Sequence, residues 1–253
     1  MDQTYALGYV AAFLLGAVLG SVANGWIYWL TRRQALGFSG AQCPTCQRAH
    51  RPWHTMPLLG VVLGGRCATC QTAIAWRSLL ITLPCGALYV FLYHQWPVSV
   101  QSVVFALLAV VLLVVACIDL AHTIIPDAIT LPGILAGLLA SLVLTPVGIG
   151  NALIGAFLGG GLFLVIAVLS RGGMGGGDIK LIAMIGAFLG WQAVLATIFL
   201  GAFLLTLLGL TLMLLRQKGR KDPLPFGPFL AIGALLTMVW GDALLTWYQQ
   251  LTL

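Results

Sequence analysis

Asp119 and Asp178 are the two side chains whose type and position best suit acid–base chemistry. The chain has six acidic residues, all of them aspartates, and no glutamate. Asp119 ends a long apolar run, and Asp178 follows a segment, residues 172–177, in which five of six positions are glycine. Two carboxylates about 3 Å apart cannot both ionise easily, so they share a proton. If these two meet, one could act as general base on a water and the other as general acid towards a carbonyl group.

The glycine-rich segment before Asp178 is a poor sequence for a lipid-facing helix, because glycine weakens helices. Irregular backbone at membrane depth is tolerated only where protein covers it or where it lines a cavity. We therefore predict an active-site loop that includes Gly175, Gly177 and Lys180. Its flexibility would let Asp178 approach Asp119 when substrate docks.

The other four aspartates have plainer interpretations. Asp127 follows Pro126, and a proline followed by an acidic residue is typical of the first turn of a helix. The remaining three lie near the chain ends or among basic residues and are expected to be solvated charges: Asp2, Asp222 and Asp242. No Ser-His-Asp or Cys-His arrangement is apparent in the sequence, and the four histidines show no metal-ligand spacing.

Four cysteines form two C-x-x-C pairs, Cys43 with Cys46 and Cys67 with Cys70, separated by 20 residues. This spacing can place four thiolates tetrahedrally around one Zn²⁺, and a site with four protein ligands is structural. Two disulfides or four free thiols are the alternatives. Disulfides are disfavoured because the loop is predicted to face the reducing cytoplasm. The other two cysteines, Cys85 and Cys117, are expected to be packing residues within membrane helices.

The composition indicates a membrane protein with several spans. Of 253 residues, 60% are hydrophobic and 7% are charged, and the mean hydropathy is +1.04. A soluble domain carries roughly 25% charged residues, and disorder requires low hydrophobicity. The formal net charge of +6 does not indicate nucleic-acid binding, because the basic residues lie in loops between apolar runs. No cleavable signal peptide is visible, since the first basic residue is Arg32.

Stretches without charge predict an all-α membrane protein of about eight transmembrane helices. A crossing helix needs about 20 apolar residues, and breaks are expected near residues 94–97, 146–148 and 190–192. With the amino terminus outside, all 12 basic residues fall on one side, which the positive-inside rule makes cytoplasmic. The predicted organisation is a first helix (1–30), a cytoplasmic zinc loop (31–77) and a seven-helix membrane domain (78–253).

Three glycine pairs match the small-xxx-small pattern that lets membrane helices approach closely. We assign them helix packing and no chemistry: Gly16 and Gly20, Gly133 and Gly137, Gly155 and Gly159.

Taken in order, these motifs resemble those of the type IV prepilin peptidases, which are GxGD aspartyl proteases of the membrane boundary. The resemblance covers almost the whole chain. The matching segments are the end of the first helix at 20–28, the paired cysteines, residues 118–132 around Asp119, residues 175–181 around Asp178, and residues 225–229 that open the last helix.

The resemblance implies that Asp119 and Asp178 are the catalytic pair. It implies cleavage of the basic leader from prepilins or type II secretion pseudopilins at the inner membrane, after a glycine. Members often also methylate the new amino terminus with S-adenosylmethionine. The chain departs from the pattern at Thr82, where members usually carry a glutamate, and after Trp53, where acidic and amide residues are missing. These departures concern the methyltransferase and leave the protease motifs intact.

Two functions from other classes fit the composition. Buried aspartates serve as proton relays in transporters, although transporter sites tend towards the bilayer midplane and these aspartates are predicted at one face. A zinc-loop scaffold without catalysis is the other alternative.

Overall fold

The computed structural model describes residues 3–31, 70, 75–96, 99–143, 147–170, 173–215 and 224–252. Within these residues there are seven helices and no strand: α1 (Gln3–Thr31), α2 (Ala75–Gln95), α3 (Val100–His122), α4 (Asp127–Ala140), α5 (Gly148–Leu169), α6 (Gly176–Leu214) and α7 (Gly227–Thr252). The prediction of an all-helical protein is therefore confirmed for the described part of the chain. The predicted orientation and domain boundaries stay predictions.

Three of these helices, α3, α5 and α6, are long and apolar enough to cross a membrane. Shorter apolar stretches of 10–17 residues lie in three of the others, at Ala6–Val22, Asp127–Ala140 and Gly227–Gly241. The chain is thus a membrane protein, and the count of eight spans remains a prediction.

Helix α6 has 39 residues and is kinked at Gly190. At 1.5 Å per residue a straight helix of that length would measure about 60 Å, roughly twice the thickness of the hydrocarbon core. Gly190 has φ +82° and ψ 177°, a conformation that only glycine adopts without strain. The predicted break at 190–192 is confirmed, and it takes the form of a kink rather than a separate loop.

The chain divides into two compact units, Met1–Val114 and Val115–Leu253. In the first, α1 packs along α2. A Cβ atom added at Gly16 would lie 2.6 Å from the Cys85 carbonyl oxygen, and one added at Gly20 would lie 2.9 Å from the Cys85 Cβ. These glycines therefore permit close packing, as predicted, and Cys85 is fully buried in that contact.

In the second unit, α6 packs against α4, α5 and α7. Its first half supplies fully buried apolar side chains such as Leu181, Met184 and Ile185. The α5 backbone touches α6 directly, because a Cβ atom at Gly155 would lie 2.6 Å from the Gly186 carbonyl oxygen. The other glycines of the two predicted pairs in this unit also face α6. The packing of α6 against these helices thus sets the position of its first turn, which contains Asp178.

Candidate active site

Asp119 lies in the last turn of α3 and is only 5% exposed. Its Oδ2 atom accepts a hydrogen bond of 2.9 Å from the backbone N–H of Gly227, the first residue of α7. The amino end of a helix carries unpaired N–H groups and positive potential. It therefore compensates a negative charge that would otherwise lie at the negative end of α3. Among the described residues, Gly227 provides the one hydrogen bond to this carboxylate.

Several features at the start of α7 favour the hydrogen bond between Gly227 and Asp119. The Phe226 carbonyl oxygen accepts hydrogen bonds of 3.0 and 3.1 Å from the backbone N–H groups of Phe229 and Leu230. These bonds begin the helix. The Phe226 ring stacks on Phe163 of α5, with centroids 5.8 Å apart and planes at 8°. A Cβ atom at Gly227 would lie 2.7 Å from Asp119 Oδ2, so the site has room only for glycine. Gly227 belongs to the segment 225–229 that resembles the family motif, but its residue type and neighbours alone did not predict a role for it.

Asp178 is the third residue of α6, after the N-cap residue Gly175. The backbone amide of Gly175 interacts with the Asp178 carboxylate, and the Asp178 N–H donates to the Gly175 carbonyl at 3.2 Å. An acidic side chain that reaches back to the N-cap amide is half of a capping box. The local sequence thus holds Asp178 in a defined place at a second helix amino terminus.

The glycine segment differs from the predicted flexible loop, since Gly176 and Gly177 belong to the first turn of α6. Gly177 is required by packing, because a Cβ atom there would lie 2.8 Å from the Cβ of Ile125. Ile125 itself is buried, with 8% of its surface exposed. Gly176 has open space around it. Glycine at position 177 therefore allows the α6 backbone to lie close to Ile125.

Asp119 and Asp178 lie near enough for the charge of Asp119 to act on the Asp178 carboxyl, although 58 residues separate them in sequence. Asp119 is buried and Asp178 is half-buried, at the ends of α3 and α6. Each has a backbone amide at a helix amino terminus that stabilises its negative charge. Such an arrangement can hold a water between a proton acceptor and a proton donor.

Lys180 does not join this pair. Its Nζ binds both carboxylate oxygens of Asp127 at 2.6 Å. Asp127 is the first residue of α4, after Pro126 with φ −70° and ψ 130°, so the predicted helix start is confirmed. The Lys180 and Asp127 side chains are 37% and 57% exposed. This contact joins residues 53 positions apart and was not predicted from the sequence. His122, in the last turn of α3, is exposed.

The predicted zinc site falls largely outside the described residues, which include Cys70 but not Cys43, Cys46 or Cys67. Cys70 is half-buried. In the part of the chain that the structure describes, there is no group of three or more side chains suited to hold a metal ion. The zinc site therefore stays a prediction.

Two regions of the chain match the sequence models of known protein families. Residues 106–210, which include both aspartates, match the sequence model of the type IV leader peptidase family. Residues 14–96 match that of the bacterial peptidase A24 N-terminal domain.

Several curated relatives carry the name prepilin leader peptidase/N-methyltransferase. The one from Pseudomonas aeruginosa is 32% identical over 98% of this chain and 96% of its own length. The one from Pseudomonas putida is 34% identical over 99% and 96%, and that from Aeromonas salmonicida 37% over 81% and 73%. No solved structure matches the chain.

Proposed function

Because the chain belongs to the type IV leader peptidase family, we propose that it hydrolyses the leader peptide of prepilins with Asp119 and Asp178 as a carboxylate dyad. The observation that carries this proposal is the buried Asp119 carboxylate, fixed by the Gly227 amide and acting electrostatically on Asp178. Among the described residues Asp119 has no ion-pair partner, and a buried acid in that situation is rare in a structural role. A scaffold would not require that arrangement, and transporter sites tend towards the bilayer midplane, whereas both aspartates lie at helix ends.

In the proposed reaction, one carboxyl is ionised and the other is protonated. The ionised group takes a proton from a water, which attacks the scissile carbonyl carbon, while the protonated group donates to the carbonyl oxygen. Collapse of the tetrahedral intermediate breaks the C–N bond: the proton held by the general base passes to the departing amine, and the other carboxylate takes a proton back from a hydroxyl group of the intermediate. The dyad returns to one proton shared between two carboxyl groups, and no covalent enzyme intermediate forms.

The proposed substrates are prepilins or type II secretion pseudopilins whose apolar helix lies in the bacterial inner membrane and whose basic leader lies in the cytoplasm. The distribution of the 12 basic residues supports an active site at the cytoplasmic face. Both aspartates lie at helix ends, where a water-accessible peptide bond could reach them. This placement suits cleavage at a membrane boundary.

We also propose a second activity, transfer of a methyl group from S-adenosylmethionine to the new amino terminus. The relatives' names include N-methyltransferase, and the match at residues 14–96 spans the cysteine loop. Four thiolates in that loop would hold a structural Zn²⁺ and provide folding free energy to a segment with few large apolar residues.

The decisive experiment compares wild type with Asp119→Asn and Asp178→Asn in cleavage of a purified prepilin. Each substitution keeps the side-chain shape but removes the carboxyl group that gains or loses a proton, so we expect both variants to lose at least about 10³-fold in rate, within the range attributed to acid–base groups. Asp242→Asn is the control and should cleave normally. Cleavage by both dyad variants at the wild-type rate would refute the proposal. Methyl incorporation from S-adenosylmethionine in the same reaction tests the second activity.

A further inference from the structure

The connection between α3 and α4, residues 123–126, links the two aspartates through a chain of contacts. At one end the Thr123 N–H donates to the Asp119 carbonyl at 2.8 Å. In the middle, Ile125 packs against Gly177, the residue before Asp178. At the other end Asp127 binds Lys180, two residues after Asp178. Asp178 is therefore flanked on both sides by residues attached to this connection.

Three features restrict the conformation of the connection. Thr123 has φ +53°, and a β-branched residue adopts that region only when its surroundings enforce it. Ile125 is buried and Pro126 has a restricted φ. A rigid connection can transmit the position of Asp119 to whatever is attached at its far end.

The Asp127–Lys180 pair has a geometry that suits positioning. One ammonium group bridges both oxygens of one carboxylate, which fixes the two side chains more closely than a single contact. Asp127 also lies in the first turn of α4, where the helix dipole favours its charge. Both side chains are more than one-third exposed, and such pairs add little to global stability. A stabilising role alone therefore does not account for the pair.

We propose that the Asp127–Lys180 ion pair positions Asp178 against Asp119 by attaching the first turn of α6 to the first turn of α4. The inference rests on the dyad proposed above. Ile125 and Gly177 provide one point of attachment and the ion pair provides the second, with Asp178 between them in sequence. Two points of attachment define the orientation of the turn, whereas one would allow it to pivot. Asp127 and Lys180 are thus positioning residues for the reaction and do not touch the scissile bond.

The consequence is a change in kcat rather than in substrate binding. A displacement of about 1 Å at a catalytic group can cost about 10²-fold in rate. We expect Lys180→Met, which keeps the side-chain length and removes the charge, to lower kcat about 10- to 100-fold. KM for the prepilin should stay within about twofold, because a uniform loss of binding would instead raise KM. Lys180→Arg should retain most of the wild-type kcat.

The test measures kcat and KM of the full-length detergent-solubilised protein on a prepilin, together with its melting temperature. Asp127→Asn should behave like Lys180→Met, and the exchange Asp127→Lys with Lys180→Asp should recover part of the lost kcat. The control is Lys218→Met, which removes another basic residue. Similar melting temperatures for all variants would show that the loss of rate is not a loss of folded protein.

Several results would overturn the inference. An unchanged kcat in Lys180→Met would remove the positioning role. If Asp127→Asn raised KM for the prepilin and left kcat normal, Asp127 would instead be assigned to binding of the basic leader. Equal losses in Lys180→Arg and Lys180→Met, or an inactive charge exchange, would show that charge pairing is not what matters. Activity in Asp178→Asn would refute the dyad itself, which is a separate outcome.

Discussion

Replacing Gly227 by alanine is the sharpest perturbation of the site, because the added methyl group meets the Asp119 carboxylate directly. The new Cβ would lie 2.7 Å from Oδ2, 3.1 Å from Cγ and 3.2 Å from Cβ of Asp119. Relief of the first contact to 3.0–3.4 Å requires a shift of about 0.3–0.7 Å. Asp119 is 5% exposed and has little room to move. The hydrogen bond from residue 227 must therefore lengthen or break.

The magnitude follows from that bond. A hydrogen bond to a charged group contributes about 1.5–3 kcal/mol, and each 1.36 kcal/mol corresponds to about tenfold in rate. If the whole bond is lost from the reacting geometry, kcat should fall about 10- to 150-fold. Helix propensity acts in the opposite direction, since alanine is favoured over glycine in a helix by up to about 1 kcal/mol. Propensity alone would leave the enzyme active and slightly more stable.

The assay is cleavage of a purified prepilin, followed by separation of leader and mature protein, with the melting temperature measured in parallel. Gly161→Ala in α5 is the matched control, because nothing lies within 4 Å of a Cβ atom at that position. We expect the control to cleave at the wild-type rate. A wild-type kcat in Gly227→Ala would refute the reasoning that the α7 amino terminus holds Asp119 in its active position.

Two further predictions concern the neighbouring segments. Gly177→Ala should lower kcat about tenfold, since its Cβ would lie 2.8 Å from that of Ile125, and a misplaced catalytic group costs rate steeply. Ile125→Ala in the same chain should recover part of the lost kcat. A wild-type rate in the single variant Gly177→Ala would contradict the packing role of Gly177. Purified protein should contain one zinc per chain by elemental analysis, and Cys70→Ser should lower that content; metal-free wild type would reject the zinc loop.

Glycine has two different structural roles in this chain. The segment before Asp178 suggested flexibility, yet Gly177 is helical and lies against Ile125. At Gly190 the suggestion of a break was correct, because φ there is +82°. From the sequence alone, a glycine that permits close approach cannot be told from one that permits an unusual φ. The neighbour that makes the difference lies elsewhere in the chain.

The membrane character, the helical class and the candidate aspartates could all be predicted from the sequence. These features depend on local properties: apolar runs about 20 residues long, and the cost of a carboxylate within them. Asp119 and Asp178 were conspicuous because the chain has so few charged residues. The break in α6 near residues 190–192 was likewise predicted from the local sequence.

Only the tertiary structure decided how the site is held. The Gly227–Asp119 hydrogen bond joins residues 108 positions apart, and the Lys180–Asp127 pair joins residues 53 apart. Neither contact leaves a periodic or compositional trace, because each depends on how close two helix ends approach. That approach is set by the packing of α6 against α4, α5 and α7. The residue types thus indicated the proposed chemistry, and the helix packing determined which backbone amides and side chains contact the two aspartates.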